Sequence, residues 1–434
     1  MRDEIYDVAI IGGGPAGSTA ATLLARAGRR VIVCEREKFP RFHIGESLLP
    51  ISMKTFTRLG VHEKFAQAGF LRKYGGEMAG ACSEEGVKFY FKDGYRSQSD
   101  SSYQVPRAEF DQVLLDHAAE NGAEIRQETA VKSVEFFDDR VELQLQSNSA
   151  PAGKIQTRYL IDASGRHSVV GNHFKLKETY AHLQKISIFA HYEGVAVDDG
   201  RDGTLTRQLR ATDRWFWYIP LPDNRASIGV VLDTALFKRT KKSPEQFLAE
   251  SLAEQPFLAR RMTHARRVTP TYASADFSYR QRRLTGERWM LAGDAAGFID
   301  PVFSSGVFLA LLAGEQCADI LDVVLDHPGK APRLFARYEK LLRRVMKGYL
   351  RFVDAWYSKE FIEVFLYPQD VLQIPPAVNA VLGGNISGSF AIRWRMAAFY
   401  FIVWLQRYLP LCPRRSLVPP KREPSPAASL PSAA

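Results

Sequence analysis

With 434 residues, 46% hydrophobic and 24% charged, the chain has an ordinary soluble balance and enough length for two or three domains. Its 58 basic residues exceed 48 acidic ones, a formal charge of +10 that favours anionic partners such as cofactor phosphates, an acidic carrier protein or a membrane surface. Scattered basic residues without a recognition motif argue against nucleic acid, and Cys34, Cys82, Cys317 and Cys412 lack the C-x-x-C spacing of a metal site, so no metal is expected. No signal peptide precedes the first strand, which fits a cytoplasmic enzyme.

Tyr6 to Glu35 reads as a βαβ unit. Asp7–Ile11 is an apolar strand, Gly12-Gly13-Gly14-Pro15-Ala16-Gly17 turns it into a helix to about Arg26, Gly28 caps that helix, and Val31–Cys34 is a second strand ending in Glu35. The glycines have separate tasks in a G-x-G-x-x-G turn: Gly12 the tight turn, Gly14 the approach of a pyrophosphate, Gly17 the packing of helix on strand. The pyrophosphate then lies at the positive helix N-terminus, and Glu35 accepts from ribose hydroxyls. A dinucleotide site follows.

Phe39–Pro50 (FPRFHIGESLLP) is dense in turn and polar residues, and helical spacing resumes over 52–68. Residues 78–103 read as short strands, Arg107–Asn121 as an amphipathic helix, 125–145 as a hairpin turning at Asp138-Asp139, and 158–165 as a buried strand. β periodicity covers 186–231, a helix follows Ser243-Pro244, Trp289–Ala292 is another buried strand, and Gly306–Leu325 a strongly apolar helix. Helices continue to about Leu409, and the Pro-, Ser- and Ala-rich tail from Ser416 reads as disordered.

Strands near residues 7, 31, 160 and 290 imply an interrupted Rossmann-like α/β domain (1–75, 105–175 and 285–328). A β-rich domain (76–104 and 176–284) is laid over the cofactor, a helical region spans 329–415, and the tail is 416–434. Arg107, opening the helix in PRAEFD, reaches a phosphate or ribose; Asp162 lies at a strand end in DASG. Asp294 in LAGDAAG stands between small residues before a helix, where it meets a ribityl chain. With the first motif these favour FAD over NAD.

This combination resembles the flavin-dependent monooxygenase superfamily, with its p-hydroxybenzoate-hydroxylase-like fold, and within it the flavin-dependent halogenases. Trp215-Phe216-Trp217-Tyr218-Ile219-Pro220 matches their W-x-W-x-I-P signature, and Phe298 to Gly306 their F-x-x-P-x-x-S-x-G signature. PRFHIGESLLP and the run Ala391–Pro413 look like the branch acting on phenols and pyrroles. The resemblance implies an enzyme that uses reduced FAD from a separate flavin reductase, O2 and chloride or bromide to form hypohalous acid, then halogenates a small electron-rich aromatic, free or carrier-bound. It assigns Ser305 and Gly306 to the halide, Trp215 and Trp217 to a wall between flavin and substrate, and Lys73 to the oxidised halogen. Arg41, Ser47, Pro301 and Gly306 join Gly12, Gly14, Pro15, Ala16, Gly17, Glu35, Arg107 and Asp294 at the cofactor.

Tryptophan halogenases carry a glutamate just before S-x-G; Phe303 stands here, in keeping with a substrate that needs less help in losing its ring proton. Three rivals share the fold: a single-component aromatic hydroxylase, a prenyl-chain reductase using the apolar run Ala397–Leu405 at a membrane, and a non-catalytic flavin sensor. That run is far too short to span a bilayer.

Overall fold

The computed structural model describes residues 5–80, 86–97, 99–147, 153–275, 278–386 and 388–417. Strand Tyr6–Ile11 (YDVAII) is almost wholly apolar because both faces of its sheet are covered. The sheet runs Thr285–Gly286, Trp289–Leu291, Lys154–Asp162, Tyr6–Ile11, Val31–Cys34, Glu124–Arg126, with the hairpin Thr129–Phe136/Val141–Ser147 joined through Lys154–Asp162. Its central pairs are parallel: Ile11 sits between Asp162 and Cys34, and Asp162 opposite Leu291. The strands therefore end together, and an open parallel sheet offers its ligand crevice beyond those carboxyl ends. Helix Pro15–Arg26 packs against helix Ser305–Asp326 so closely that a Cβ on Gly314 would lie 2.4 Å from the Ala16 carbonyl oxygen.

The second large sheet is mostly antiparallel, in the order Arg266–Arg267, Lys185–Glu193, Arg225–Asp233, Arg214–Leu221, Thr206–Arg210, Gly75–Gly80, Val87–Tyr90. Alternation along Arg214–Leu221 sorts its side chains by face. Phe216 and Tyr218 enter a core closed by Phe247, Leu252 and Phe257, while Trp215, Trp217 and Ile219 belong to a cluster with Phe303 and with Phe352 and Trp356 from the helical region. That region comprises helices Ala331–Trp356, Lys359–Phe365, Ile374–Leu382 and Phe390–Gln406.

Some expected boundaries move. The helical stretch 52–68 is two helices, Met53–Leu59 and His62–Gln67, parted at Gly60, whose φ of 72° ends the first. Ile125 is not in the hairpin. It belongs to Glu124–Arg126, parallel to Val31–Cys34, and the hairpin begins at Thr129. Residues 418–434 of the tail, and Cys82, lie outside the described residues; Cys34, Cys317 and Cys412 are buried free thiols. Among the described residues no helix is long and apolar enough to cross a membrane.

Candidate active site

A cavity of about 570 Å³ opens at the carboxyl ends of the first sheet and extends under the second. Gly12, at φ 100°, begins its floor, and a Cβ there would lie 2.4 Å from the Ala163 carbonyl oxygen. Gly14 differs. The nearest atom to a Cβ at Gly14 is Arg41 Nη2 at 3.6 Å, so that space faces the cavity. Gly17 does not line it; its missing Cβ would stand 1.9 Å from the Gly12 oxygen, which is why helix and strand can meet there. Pro15 and Ala16 also line the cavity and open the helix, with its unpaired amides directed there. Glu35, at the end of the second strand, accepts from the Gly13 and Glu37 amides at 2.7 and 2.9 Å.

Arg41 and Arg107 share the fully buried Asp111: Arg41 Nη1 donates to Oδ2 at 2.9 Å, and Arg107 Nε and Nη2 donate at 2.8 and 2.9 Å. Burial opposes charge on Asp111 and Arg107, but attraction within the cluster wins, holding the Asp111 carboxyl below and the Arg107 guanidinium above its ordinary range. Both arginines line the cavity as anchored cations, suited to phosphate oxygens. Across it, burial lifts Asp294 to about 6 against the opposing pull of Arg107 and Arg166. Asp162 does not line the cavity: its Oδ1 accepts from the Ser164 amide and hydroxyl and its Oδ2 from the Val170 amide, so it serves the turn.

Trp215 and Trp217 form the opposite wall, ring centroids 5.9 Å apart. Trp217 Nε1 donates to Ser227 Oγ at 3.1 Å; Trp215 Nε1 donates to the Tyr357 hydroxyl at 3.1 Å, which itself donates to Asp300 Oδ2 at 2.6 Å. Each indole is thus held edge-on by a bond that a phenylalanine could not make. Beside them Pro301, Val302, Ser304 and Gly306 complete the rim. Ser304, at φ 56°, swings the chain into helix Ser305–Asp326; Ser305 is buried at its first position and is not on the cavity wall. Phe303 faces away, its ring 4.3 Å from that of Phe352.

Lys73 is not in a loop. It ends strand Leu71–Lys73, paired to Ser102–Gln104, and is buried. Its Nζ donates to Ser47 Oγ at 2.7 Å and the Leu48 carbonyl at 3.2 Å, and lies 5.3 Å from the centre of the Phe91 ring. Ser47 lines the cavity and is itself 2.8 Å from Thr206 Oγ1, also on the wall. Among the described residues no carboxylate pairs with the amine, and burial alone brings it down to about 7.

Residues 5–353 match the family model described as "FAD binding domain". The chain is 31% identical over 402 residues to 1H-pyrrole-2-carbonyl-[peptidyl-carrier protein] chlorinase of Pseudomonas fluorescens, covering 86% of this chain and 89% of that one. The corresponding brominase of Pseudoalteromonas luteoviolacea is 33% identical over 325 residues, 74% of this chain and 78% of the brominase. The chain belongs to the flavin-dependent halogenases. Among solved structures, the flavin-dependent brominase Bmp2 superposes with a TM-score of 0.81 at 29% identity, covering 93% of this chain and all of Bmp2. A flavoprotein/dehydrogenase from Cytophaga hutchinsonii gives 0.85 at 26%, covering 92% and 99%.

The halogenase is therefore an oxidoreductase with FAD as its cofactor, and the cavity fits that molecule. Its volume falls within the usual 300–1,000 Å³ of small-ligand sites, the space at Gly14 is kept open, and two guanidiniums and a helix N-terminus converge on it. Sequence reasoning passed over several lining residues: Thr129–Val131, Arg166, Gln208 and Ser304. Arg166 follows DASG directly and carried a positional signal; Gln208 and Thr129 reach the cavity only through sheet pairing.

Proposed function

We propose that this halogenase takes reduced FAD from a separate reductase and uses O2 with chloride or bromide to halogenate an electron-rich phenolic or pyrrolic ring, free or carrier-tethered. The observation that carries this reading is Lys73: a buried amine, without a carboxylate partner among the described residues, bonded to Ser47, a residue of the cofactor cavity itself. FAD, when bound and reduced, supplies the oxygen activation that turns halide into hypohalous acid. The chain's own groups do the rest. Gly12, Gly14, Pro15 and Ala16 seat the pyrophosphate, Gly17 lets the helix that carries them meet the strand, and Glu35 takes the ribose; Arg41, Ser47, Arg107, Asp294 and Pro301 hold the remainder. The start of a 22-residue helix attracts the halide, with the Gly306 amide at the cavity wall and Ser305 behind it as the first helical residue. Trp215 and Trp217 keep the organic substrate off the flavin, so that oxygen is passed to halide and not to the ring.

An amine titrating near 7 is partly neutral at neutral pH. It takes the halogen from HOX as R–NHX, releasing water, or donates a hydrogen bond to the acid; the aromatic carbon then attacks the halogen and loses its ring proton. Both relatives named for pyrrole-2-carbonyl carriers support a carrier-tethered substrate. The same reading divides the chain at 1–75, 105–175 and 285–328 for FAD, 76–104 and 176–284 for the β-rich domain, and 329–415 for the helices.

The test is mass spectrometry of phenols and pyrrole-2-carbonyl compounds, free and carrier-bound, after incubation with reduced FAD, air and halide. The expected product carries one or more halogens, and Lys73→Ala retains reduced-FAD oxidation while halogenated product falls at least a hundredfold. A hydroxylated product, or rapid flavin reduction by NADPH alone, overturns the proposal in favour of a single-component hydroxylase.

A further inference from the structure

Lys73 has two neighbours that each belong to a cavity. Ser47 faces the cofactor; the Phe91 ring, on the amine's other contact, lines a second cavity of about 370 Å³. This second cavity lies between the start of helix Met53–Leu59, the turn after Val87–Tyr90, and helix Ile374–Leu382. The walls are tied by backbone bonds from the Ile51 amide to the Gly383 carbonyl and from the Tyr95 amide to the Pro376 carbonyl.

Its lining is unlike that of the cofactor site. No acidic residue is present among the described residues that line it, and the polar groups are Lys54, Arg96, Ser97, Asn379 and Asn385 among others. Lys54 and Arg96 are exposed, and among the described residues neither is ion-paired, so the rim is cationic. Asn379 is only 7% exposed; its Nδ2 donates to the Tyr90 carbonyl at 2.6 Å, which fixes the amide, while its Oδ1 has no hydrogen-bond partner among the described residues. A buried acceptor left so costs about 1–3 kcal/mol unless something donates to it. The ligand that suits this lining carries an amide N–H inside, an anion at the rim, and a group flat enough to meet Phe91.

We propose that the second cavity receives the phosphopantetheine arm of a carrier-bound acyl substrate, with an arm amide donating to Asn379 Oδ1 and its phosphate held by Lys54 and Arg96. The acyl ring then arrives at Phe91, and a rotation of that side chain brings it to Lys73. The cofactor and the arm thus approach the amine from separate cavities, and the substrate never crosses the flavin site. The inference rests on the carrier-tethered form of the proposed function.

Calorimetric titration of the FAD-loaded protein with phosphopantetheine and with its pyrrole-2-carbonyl thioester, in the absence of halide and reductant, tests the site apart from turnover. Lys54→Glu and Ser97→Trp, both at exposed positions, should weaken binding of both probes at least tenfold with FAD affinity and melting temperature unchanged. Asn379→Leu should do likewise. Pantetheine lacking the phosphate should bind more weakly and lose its sensitivity to Lys54→Glu while keeping that to Asn379→Leu. Absence of binding to the wild type, or affinities within twofold across the variants, overturns the proposal even where free aromatics are halogenated. Binding that follows the variants without any halogenated product upholds this site and instead sinks the reading of the reaction.

Discussion

Lys73 shows how much a single residue depends on its surroundings. In LRKYGG nothing distinguishes it from a solvated surface charge, and its burial comes from a three-residue pairing with Ser102–Gln104, far away in sequence. Burial without a carboxylate moves its titration from 10.5 to about 7. Between those values the unfolded chain binds a proton that the native protein lacks, so the native state gains stability as pH rises through this window and loses it as pH falls toward 7. Below about 7 the penalty is constant. Denaturant titrations of wild type and Lys73→Met from pH 7 to 10 should therefore differ progressively, the wild type gaining up to about 1.4 kcal/mol per pH unit on the variant. A pH-independent difference would mean that the amine titrates normally. The residue type and position were readable from the family resemblance, whereas its pKa was not, because desolvation is a property of the packed interior. Asp162 is the converse case: a motif acid that three local donors consume.

Elements formed by local chemistry were the legible ones. The strand–turn–helix of Tyr6–Arg26 has its glycines at the positions their tasks require, and helix Ser305–Asp326 falls within one residue of the apolar run predicted for it. Elements made by partners far along the chain were misread: Ile125 alternates like hairpin sequence but is claimed by Val31–Cys34. The same contrast separates two glycines in one turn. Gly14 has φ −69° and ψ −175°, which valine adopts freely, and among the described residues beyond its chain neighbours no atom lies closer than 3.6 Å to a new Cβ. Gly17 has the Gly12 oxygen at 1.9 Å. Gly14→Val should keep the melting temperature of the FAD-free protein within a few degrees and weaken FAD at least a hundredfold. Gly17→Ala should instead lower unfolding stability by about 1–3 kcal/mol, the usual range for overpacking. Differential scanning calorimetry with and without FAD separates the two, and a Gly14→Val protein that binds FAD normally would move the pyrophosphate elsewhere.

At the scale of the whole molecule, the formal charge of +10 exceeds what one pyrophosphate demands. Many basic side chains are occupied internally: Arg29 with Asp322 and Asp326, Arg207 with Glu77, Arg107 with Asp111. The surplus acts as a field, and a field of this kind mainly accelerates encounter with an acidic partner. Screening shortens its reach from about 10 Å at 0.1 M salt to about 3 Å at 1 M. Because halide is itself a reactant, ionic strength has to be varied with a non-halide salt at fixed chloride. Under those conditions kcat/KM for a carrier-bound acyl substrate should fall by roughly an order of magnitude between low and high potassium acetate, with kcat nearly unchanged. The same acyl group on free phosphopantetheine, which lacks the carrier's acidic surface, should lose much less. Arg72 is a poor contributor to this field at the site, since its guanidinium stacks 4.7 Å over Tyr103 and bonds Ser101. Exposed Lys54 and Arg96 are better placed, and Lys54→Glu should remove a larger share of the salt dependence than Arg72→Glu. Equal salt responses of carrier-bound and free acyl groups would show that the excess charge serves only the cofactor and solubility.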